Sequence, residues 1–303
     1  MRITQRALSV TALQGLNRNQ EAIAKLQAQL TSGKTINKPS DDPTGTNAAM
    51  QTRQELAGAA QYARNINDGI GLLDATDSAL QNMIKQVQNV RALTVKGLNA
   101  GTLSDASATA ISTEVSGIRA SLLGLANSTV QGKPVFGGVT SGSIAYDAAT
   151  GGYQGFGGTS VPPMPVIPVN RQVSDADAIR VDLTGPEAFG DPATGDLFAI
   201  VQAIATDVVA DPAALAGHLE DLDVALNRML AAVADIGTRT NRIETAQQVN
   251  KDLQLSLTSR SSVIENVDLP KTIMNLQMQQ VGYEAALGAT AKAIQPTLLD
   301  FLR

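Results

Sequence analysis

The 303-residue chain has no cysteine and no tryptophan, a single histidine, and only 3% aromatic residues. Without thiols there is no disulfide, no nucleophilic cysteine and no cysteine-held zinc or iron–sulfur cluster, so packing alone must hold the fold. A lone histidine and no cysteine also support a zinc site poorly. The formal charge is −5, which lacks the basic footprint of a nucleic-acid binder or of a protein drawn to an anionic membrane. No apolar run approaches the roughly 20 residues of a membrane span. The opening MRITQRALSV starts positive but has neither a continuous apolar core nor a cleavage site, so no cleaved signal peptide is expected. No cofactor, nucleic-acid partner or membrane partner is expected.

What the chain does contain is aliphatic and rich in amides. Ala, Leu, Ile, Gln and Asn dominate, a mixture that favours long helices packed through aliphatic contacts. Stepping +4, +3 from Leu215 gives Leu219, Leu222, Leu226, Met229, Val233, Ile236, Thr240, Ile243, Gln247, Asn250, Gln254, Leu257, Ser261 and Ile264, ten apolar positions in fifteen. That seam predicts one helix of about fifty residues, far longer than a globular domain ordinarily uses. Leu56, Ala63, Ile66, Ile70, Leu73, Leu80, Ile84, Val87 and Leu98 predict a second long helix. A third places Ile111, Val115, Ile118, Leu122 and Leu125 on one stripe, with Gly101 as the stop before it and Ser104-Asp105 as the restart. Helices with compatible seams pack side by side as a bundle.

Between residues 132 and 195 the composition changes: 12 of the 26 Gly, 7 of the 12 Pro and five of the nine aromatics fall here. AIRVDL alternates Ile179, Val181 and Leu183 with the period of a half-buried strand. Helix is expected to resume after Asp196, a cap for the run Leu197, Ile200, Val201, Ile204 and Val208. The fold class is therefore mainly α, a long-helix bundle built from both chain ends with a small inserted β-rich domain.

The two ends mirror each other. Leu13, Leu16, Ile23, Leu26 and Leu30 mark an amphipathic N-terminal helix; Ile273, Leu276, Tyr283, Leu287, Ile294 and Phe301 mark a C-terminal one. Gln20 and Gln280 interrupt the stripes where a self-sufficient core has leucine. So few apolar groups do not offset the entropy of ordering each end, and short isolated helices are marginal in water. Both stripes are expected to order against neighbours, as subunit interfaces.

Candidate chemical sites resolve into structural roles. TSGKTINKPSDDPTG, residues 31–45, offers Gly33-Lys34-Thr35 in the order of a phosphate-binding loop, but Ala28 stands where that loop needs its first glycine. Gly33 instead follows a helical stripe and suits a C-terminal cap, while Asp42-Pro43 suits a helix start; the stretch is a joint. His218 lies beside the seam, with no nucleophile elbow in the chain. Asp175, Asp177, Asp182, Asp191 and Asp196 lack the spacing of a calcium loop and read as turns and caps. GGYQGFGG lacks the strand–helix setting of a dinucleotide fingerprint. QNVRALTVKG, residues 88–97, reads equally as a bundle helix with a solvated face and as a contact surface for a neighbouring subunit.

In order and spacing, SGKTINKPSDDPTG, ARNINDGIGLLDATDSALQNM and QNVRALTVKG resemble the flagellin superfamily. MRIT, NAGTLSD, VFGG at 135–138 and LLDFLR look more like its hook-associated members than its filament subunits. The resemblance implies a coaxial assembly: inner terminal helices at 1–40 and 265–303, bundle helices at 41–138 and 197–264, and a variable outer domain at 139–196. It implies a structural, non-enzymatic subunit in the ring joining hook to filament, with a filament flagellin subunit as the alternative. The implied partners are the first hook–filament junction protein, flagellin, sister subunits and a flagellar export chaperone. The implied location is the extracellular flagellum, reached by export without a cleaved signal. Asn89 and Ala92 interrupt the Arg-rich pattern by which some flagellins engage innate receptors, so that activity is not implied. Two other classes compete: a hydrolase carried on the insert, which requires a concave site with clustered acids, and a free-standing coiled-coil adaptor, which requires ordered ends in the isolated chain.

Overall fold

Seven helices and two short hairpins account for the elements of the computed structural model, which describes residues 5–98, 104–140, 142–155, 167–191 and 195–294; the side chains of 5–9 and 293–294 lie outside the description. In chain order come α1 (Gln5–Ser32), α2 (Pro43–Leu98), α3 (Asp105–Ala126), β1 (Thr129–Val130), β2 (Lys133–Pro134), β3 (Asn170–Gln172), β4 (Ala178–Arg180), α4 (Gly185–Phe189), α5 (Leu197–Ala210), α6 (Leu215–Glu265) and α7 (Leu269–Ile294). The chain divides into two compact units, Met1–Gly58 with Leu253–Arg303, and Ala59–Asp252. Both boundaries fall inside helices α2 and α6 rather than at loops.

The predicted seam is realised with a strict seven-residue period. Leu215, Leu222, Met229, Ile236, Ile243, Asn250 and Leu257 are all buried, and the alternate seam positions are half-buried. α2 repeats the device with Thr52, Ala59, Ile66, Leu73, Leu80, Val87 and Thr94. A 3.5-residue spacing keeps one stripe of each helix facing inward over many turns. The threonines in this stripe cost little, because Thr52 and Thr94 donate their hydroxyls to the carbonyls of Ala48 and Val90 at 2.9 and 2.8 Å.

In the second unit, α3 and α5 pack together, and both start where their capping residues predict. Ser104 precedes α3, and the Asp196 carboxylate accepts from the Ala199 amide at 2.6 Å at the start of α5. The predicted restart signal is therefore present, while Gly101, its expected stop, lies outside the described residues. Ile111, Val115 and Leu122 of the predicted α3 stripe are buried, and Ile118 and Leu125 pack half-buried against the same core.

Among the described residues, strand structure is confined to two antiparallel hairpins, β1–β2 and β3–β4. The first turns through Gln131 and Gly132, both at positive φ (53° and 79°), as a two-residue type I′ turn requires. It sits before residue 139, ahead of the segment expected to carry the strands. Ile179, Val181 and Leu183 are buried as their alternation predicts.

The strand-containing segment shares its core with the helices. Phe136, Tyr146, Tyr153, Phe189 and Phe198 stack at centroid separations of 4.7–6.0 Å, in one continuous hydrophobic cluster with Ile66, Leu80, Leu122 and Ile236. Polar links add to the packing: Arg171 pairs with Asp68 of α2 at 2.7 Å, and the Asn65 side chain donates to the Gln172 carbonyl at 3.0 Å. A segment of so few strand residues has no separate core to bury, so it uses the flank of the bundle.

Candidate assembly surface

Apart from Phe301, the residues predicted to contact other subunits belong to α1 and α7, in the unit formed by the two chain ends. Each helix is bounded by a joint built from local chemistry. α1 ends at Ser32, and Gly33 takes φ +69°, the left-handed conformation of a helix stop. In the joint that follows, Asp41 accepts from the amides of Asn37 and Lys38 at 3.3 and 3.0 Å and pairs with Lys25 at 3.2 Å. These contacts, led by the Lys38 amide, hold its carboxyl below the usual range. Asp42 then caps α2 by accepting from the Gly45 amide at 2.9 Å, with Pro43 as the first helical residue. Asp268 does the same for α7, accepting from the Lys271 amide at 3.1 Å. The phosphate-loop look-alike is thus a helix-to-helix joint, as its sequence predicts.

The joints are stitched to each other. The Thr35 amide donates to the Glu265 carbonyl at 2.7 Å and the Val267 amide to the Gly33 carbonyl at 3.1 Å, around an antiparallel bridge between Lys34 and Asn266. Beside this bridge the Glu265 carboxylate is 5% exposed. It takes two hydrogen bonds from Arg53, both 2.7 Å, and one from Lys34 at 2.9 Å. Glu265 is the last residue of α6, where the helix dipole disfavours a negative charge; the forked guanidinium and the ammonium offset that cost. The Arg53 hydrogen bonds, joined by those of Lys34, outweigh desolvation and lower the carboxyl from 4.5 to about 2.

A depressed carboxyl pKa stabilises the fold above the unfolded value and loses that contribution as pH falls through the folded one. The clamp is therefore expected to contribute fully above about pH 4.5 and to fail as pH approaches about 2. A carbon-detected NMR titration of the Glu265 side-chain carboxyl should give a midpoint near 2; a midpoint above 4 contradicts the clamp.

Beyond the joints, α1 and α7 run antiparallel. Asn19 stands opposite Gln279, whose side chain donates to it at 3.1 Å, and Leu26 and Gln29 line one groove with Asn275 and Gln279. This pairing divides the predicted interface stripe. Leu16, Ile23, Leu26 and Leu30 of α1 and Leu276 and Tyr283 of α7 are half-buried. Leu13, Ile273 and Leu287 remain exposed at 58%, 46% and 42%. Ile294 ends α7 with its side chain outside the described residues, and Phe301 lies outside them altogether. Met274, Met278 and Val281, outside the predicted stripe, follow a +4, +3 step on an exposed side of α7 at 58%, 65% and 66%. Gln20 and Gln280 are exposed, while the neighbouring amides Asn19 and Gln279 bond to each other across the pair.

The other candidate sites have structural partners. His218 lies 2.7 Å from Asp207. Asp182 pairs with Arg180 at 2.9 Å, Asp177 with Arg242 at 3.5 Å, and Asp175 accepts from Tyr62. Among the described residues no three His, Asp or Glu side chains cluster as metal ligands. The groove of about 380 Å³ lined by Leu72, Val135 and Val169 has Asp68 and Asp182 on its wall, each already paired with an arginine. In residues 88–97 the apolar side faces the bundle, with Val90 and Thr94 buried, and Arg91 pairs with Asp223 at 2.7 Å.

Comparison with known proteins matches the same terminal regions. The bacterial flagellin N-terminal helical region matches residues 3–140, and the flagellin C-terminal helical region matches 219–302. Flagellar hook-associated protein 3 of Salmonella typhimurium is 28% identical over 310 residues, covering 94% of this chain and 95% of that protein. Flagellin of Bacillus subtilis is 26% identical over 316 residues, the full length of both. In fold, the chain is similar to a putative flagellar hook-associated protein from Vibrio parahaemolyticus at TM-score 0.63 and 18% identity, over 74% of this chain and 99% of that one.

Proposed function

Because this chain belongs to the flagellin family, matched at both of its terminal helical regions, we propose that it is the structural subunit joining the hook of the bacterial flagellum to its filament. The observation that carries this reading is the exposed apolar side of the terminal helix pair: Leu13, Ile273, Met274, Met278, Val281 and Leu287 are all 42% exposed or more. Scattered apolar residues are ordinary on a protein surface, but a periodic row on one helix marks an interaction face. In a ring, sister subunits cover this row, while Leu16, Ile23, Leu26, Leu30, Leu276 and Tyr283 serve the pairing of α1 with α7.

The neighbours along the axis are the first junction protein on the hook side and flagellin on the filament side. The family's flagellar location accords with export without a cleaved signal to the cell exterior, with a chaperone covering the apolar terminal helices beforehand. A filament subunit is the weaker alternative, since among relatives matched over nearly the whole chain the hook-associated one shares the higher identity, 28% against 26%. The family is one of structural flagellar proteins, and the reading includes no enzymatic role.

Deletion of the gene separates the two functions. A junction protein's loss leaves hooks in place and releases flagellin into the medium; a filament subunit's loss leaves bare hooks with no flagellin secreted.

A further inference from the structure

Of the seven methionines, Met1 and Met164 lie outside the described residues, and burial sorts the other five sharply. Met83 and Met229 are fully buried in the hydrophobic core. Met50, on α2, is 63% exposed, as open as the row on α7. Met274 and Met278 are four residues apart, so their side chains stand one above the other on the exposed side of α7, with Val281 continuing the row. Unbranched thioethers adapt to an uneven partner surface, which suits an interaction face. The same sulfur atoms are open to oxidants. The chain has no cysteine, so methionine is where such an oxidant meets sulfur.

Building on the reading of this row as the contact with sister subunits, we infer that Met274 and Met278 are an oxidation site that controls whether the subunit can enter its ring. The modifying reagent is a hydroperoxide. One oxygen passes to the thioether sulfur as the O–O bond breaks and an S–O bond forms; its proton moves to the departing hydroxide, which leaves as water. The sulfur is oxidised and the peroxide reduced, giving a polar sulfoxide in a row otherwise apolar. Covering that oxygen without a hydrogen-bond donor disfavours association by about tenfold for each site. Both chain ends are expected to order only against neighbours, so in the free chain the two sulfurs are open to solvent whether α7 is folded or not. A covered row excludes the oxidant, so an assembled subunit is protected and a free one is not. With no thiol of its own, the chain cannot reverse the change; a methionine sulfoxide reductase can.

Peroxide treatment tests it in two stages. In the purified full-length chain, peptide mass mapping should show Met274, Met278 and Met50 oxidised at least about tenfold faster than Met83 and Met229; equal rates overturn the inference. The deletion strain then receives the gene from an inducible promoter, in medium carrying hydrogen peroxide at a dose that oxidises both sites in the purified chain. Met274→Leu with Met278→Leu, which keeps the volume and removes the sulfur, should bear filaments on at least about tenfold more cells than the native chain under peroxide, and on equally many without it. Met50→Leu should give no protection. Equal loss of filaments in the native and double-leucine strains overturns the inference, as does equal protection by Met50→Leu. Should the leucine pair itself assemble poorly, Met274→Gln with Met278→Gln decides: it carries the polarity of the sulfoxide and should lose filaments without any peroxide, and normal filaments on it overturn the inference. Charge on the row judges the interface separately. If Met274→Asp with Val281→Asp leaves filaments intact, the interface reading fails and the oxidation site with it. If that variant loses filaments while peroxide spares the native chain, the oxidation site alone fails.

Discussion

Cells carrying Met274→Asp together with Val281→Asp are expected to build hooks without filaments and to shed flagellin into the medium, the same outcome expected of the deletion strain. The two positions lie one heptad apart on α7 and are 58% and 66% exposed, so the monomer has no reason to unfold when they become charged. On the proposed interface the same carboxylates would be buried without partners, at a cost of roughly 3–5 kcal/mol each, enough to cut filament-bearing cells at least about tenfold. Val224→Asp, equally exposed at 54% but on α6 in the second unit, serves as the control and should leave filaments intact. Filament counts by electron microscopy, with flagellin measured in the medium, give the readout. Normal filaments on the double variant would remove the main support for the proposed interface.

The second large effect concerns folding. Phe189 is fully buried and stacks on Phe136 at 4.9 Å, on Phe198 at 5.7 Å and on Tyr146 at 6.0 Å. Phe189→Ala is expected to cost about 3–5 kcal/mol, a large share of the roughly 5–15 kcal/mol that holds a typical domain folded. Tyr146→Phe is the contrast. The Tyr146 hydroxyl is buried with no hydrogen-bond partner among the described residues, and burial pushes its pKa well up. Removing it should leave stability within about 1 kcal/mol of the native chain, or raise it. Urea unfolding followed by circular dichroism measures both. A loss under about 1 kcal/mol for Phe189→Ala would mean that the aromatic cluster is not what joins the strand-containing segment to the helices.

Much of the architecture was legible because it is written in short-range periodicity. The seam from Leu215 to Ile264 predicts a helix that the structure shows as α6, with every seventh residue from Leu215 to Leu257 buried. A repeat of this kind needs no knowledge of the partner, since any partner must lie along the apolar stripe. The joint at 31–45 was legible for a related reason: a glycine stop, an aspartate cap and a first-turn proline act within a few residues of themselves.

The interface stripe was legible only in part. A hydrophobic period shows that Leu13–Leu30 and Ile273–Leu287 each want cover. It does not say which of those residues are covered by the chain's own second helix and which are left for another molecule. Met274, Met278 and Val281 escaped notice because they form a second, weaker row beside the first. Nor does the period say which amides meet across the pair, since adjacent positions differ by only 100° around a helix and both Asn19 and Gln20, like Gln279 and Gln280, are amides.

By itself, then, the amino-acid order determined the long helices and their caps, because those properties arise between residues a few places apart. Tertiary structure alone decided the clamp of Glu265 with Arg53 and Lys34, 212 and 231 residues away. It also decided the docking of the strand-containing segment on the bundle and the division of the terminal stripes into inner and outer faces. Each of these rests on which distant surfaces meet, and a local pattern carries no record of the partner that will satisfy it.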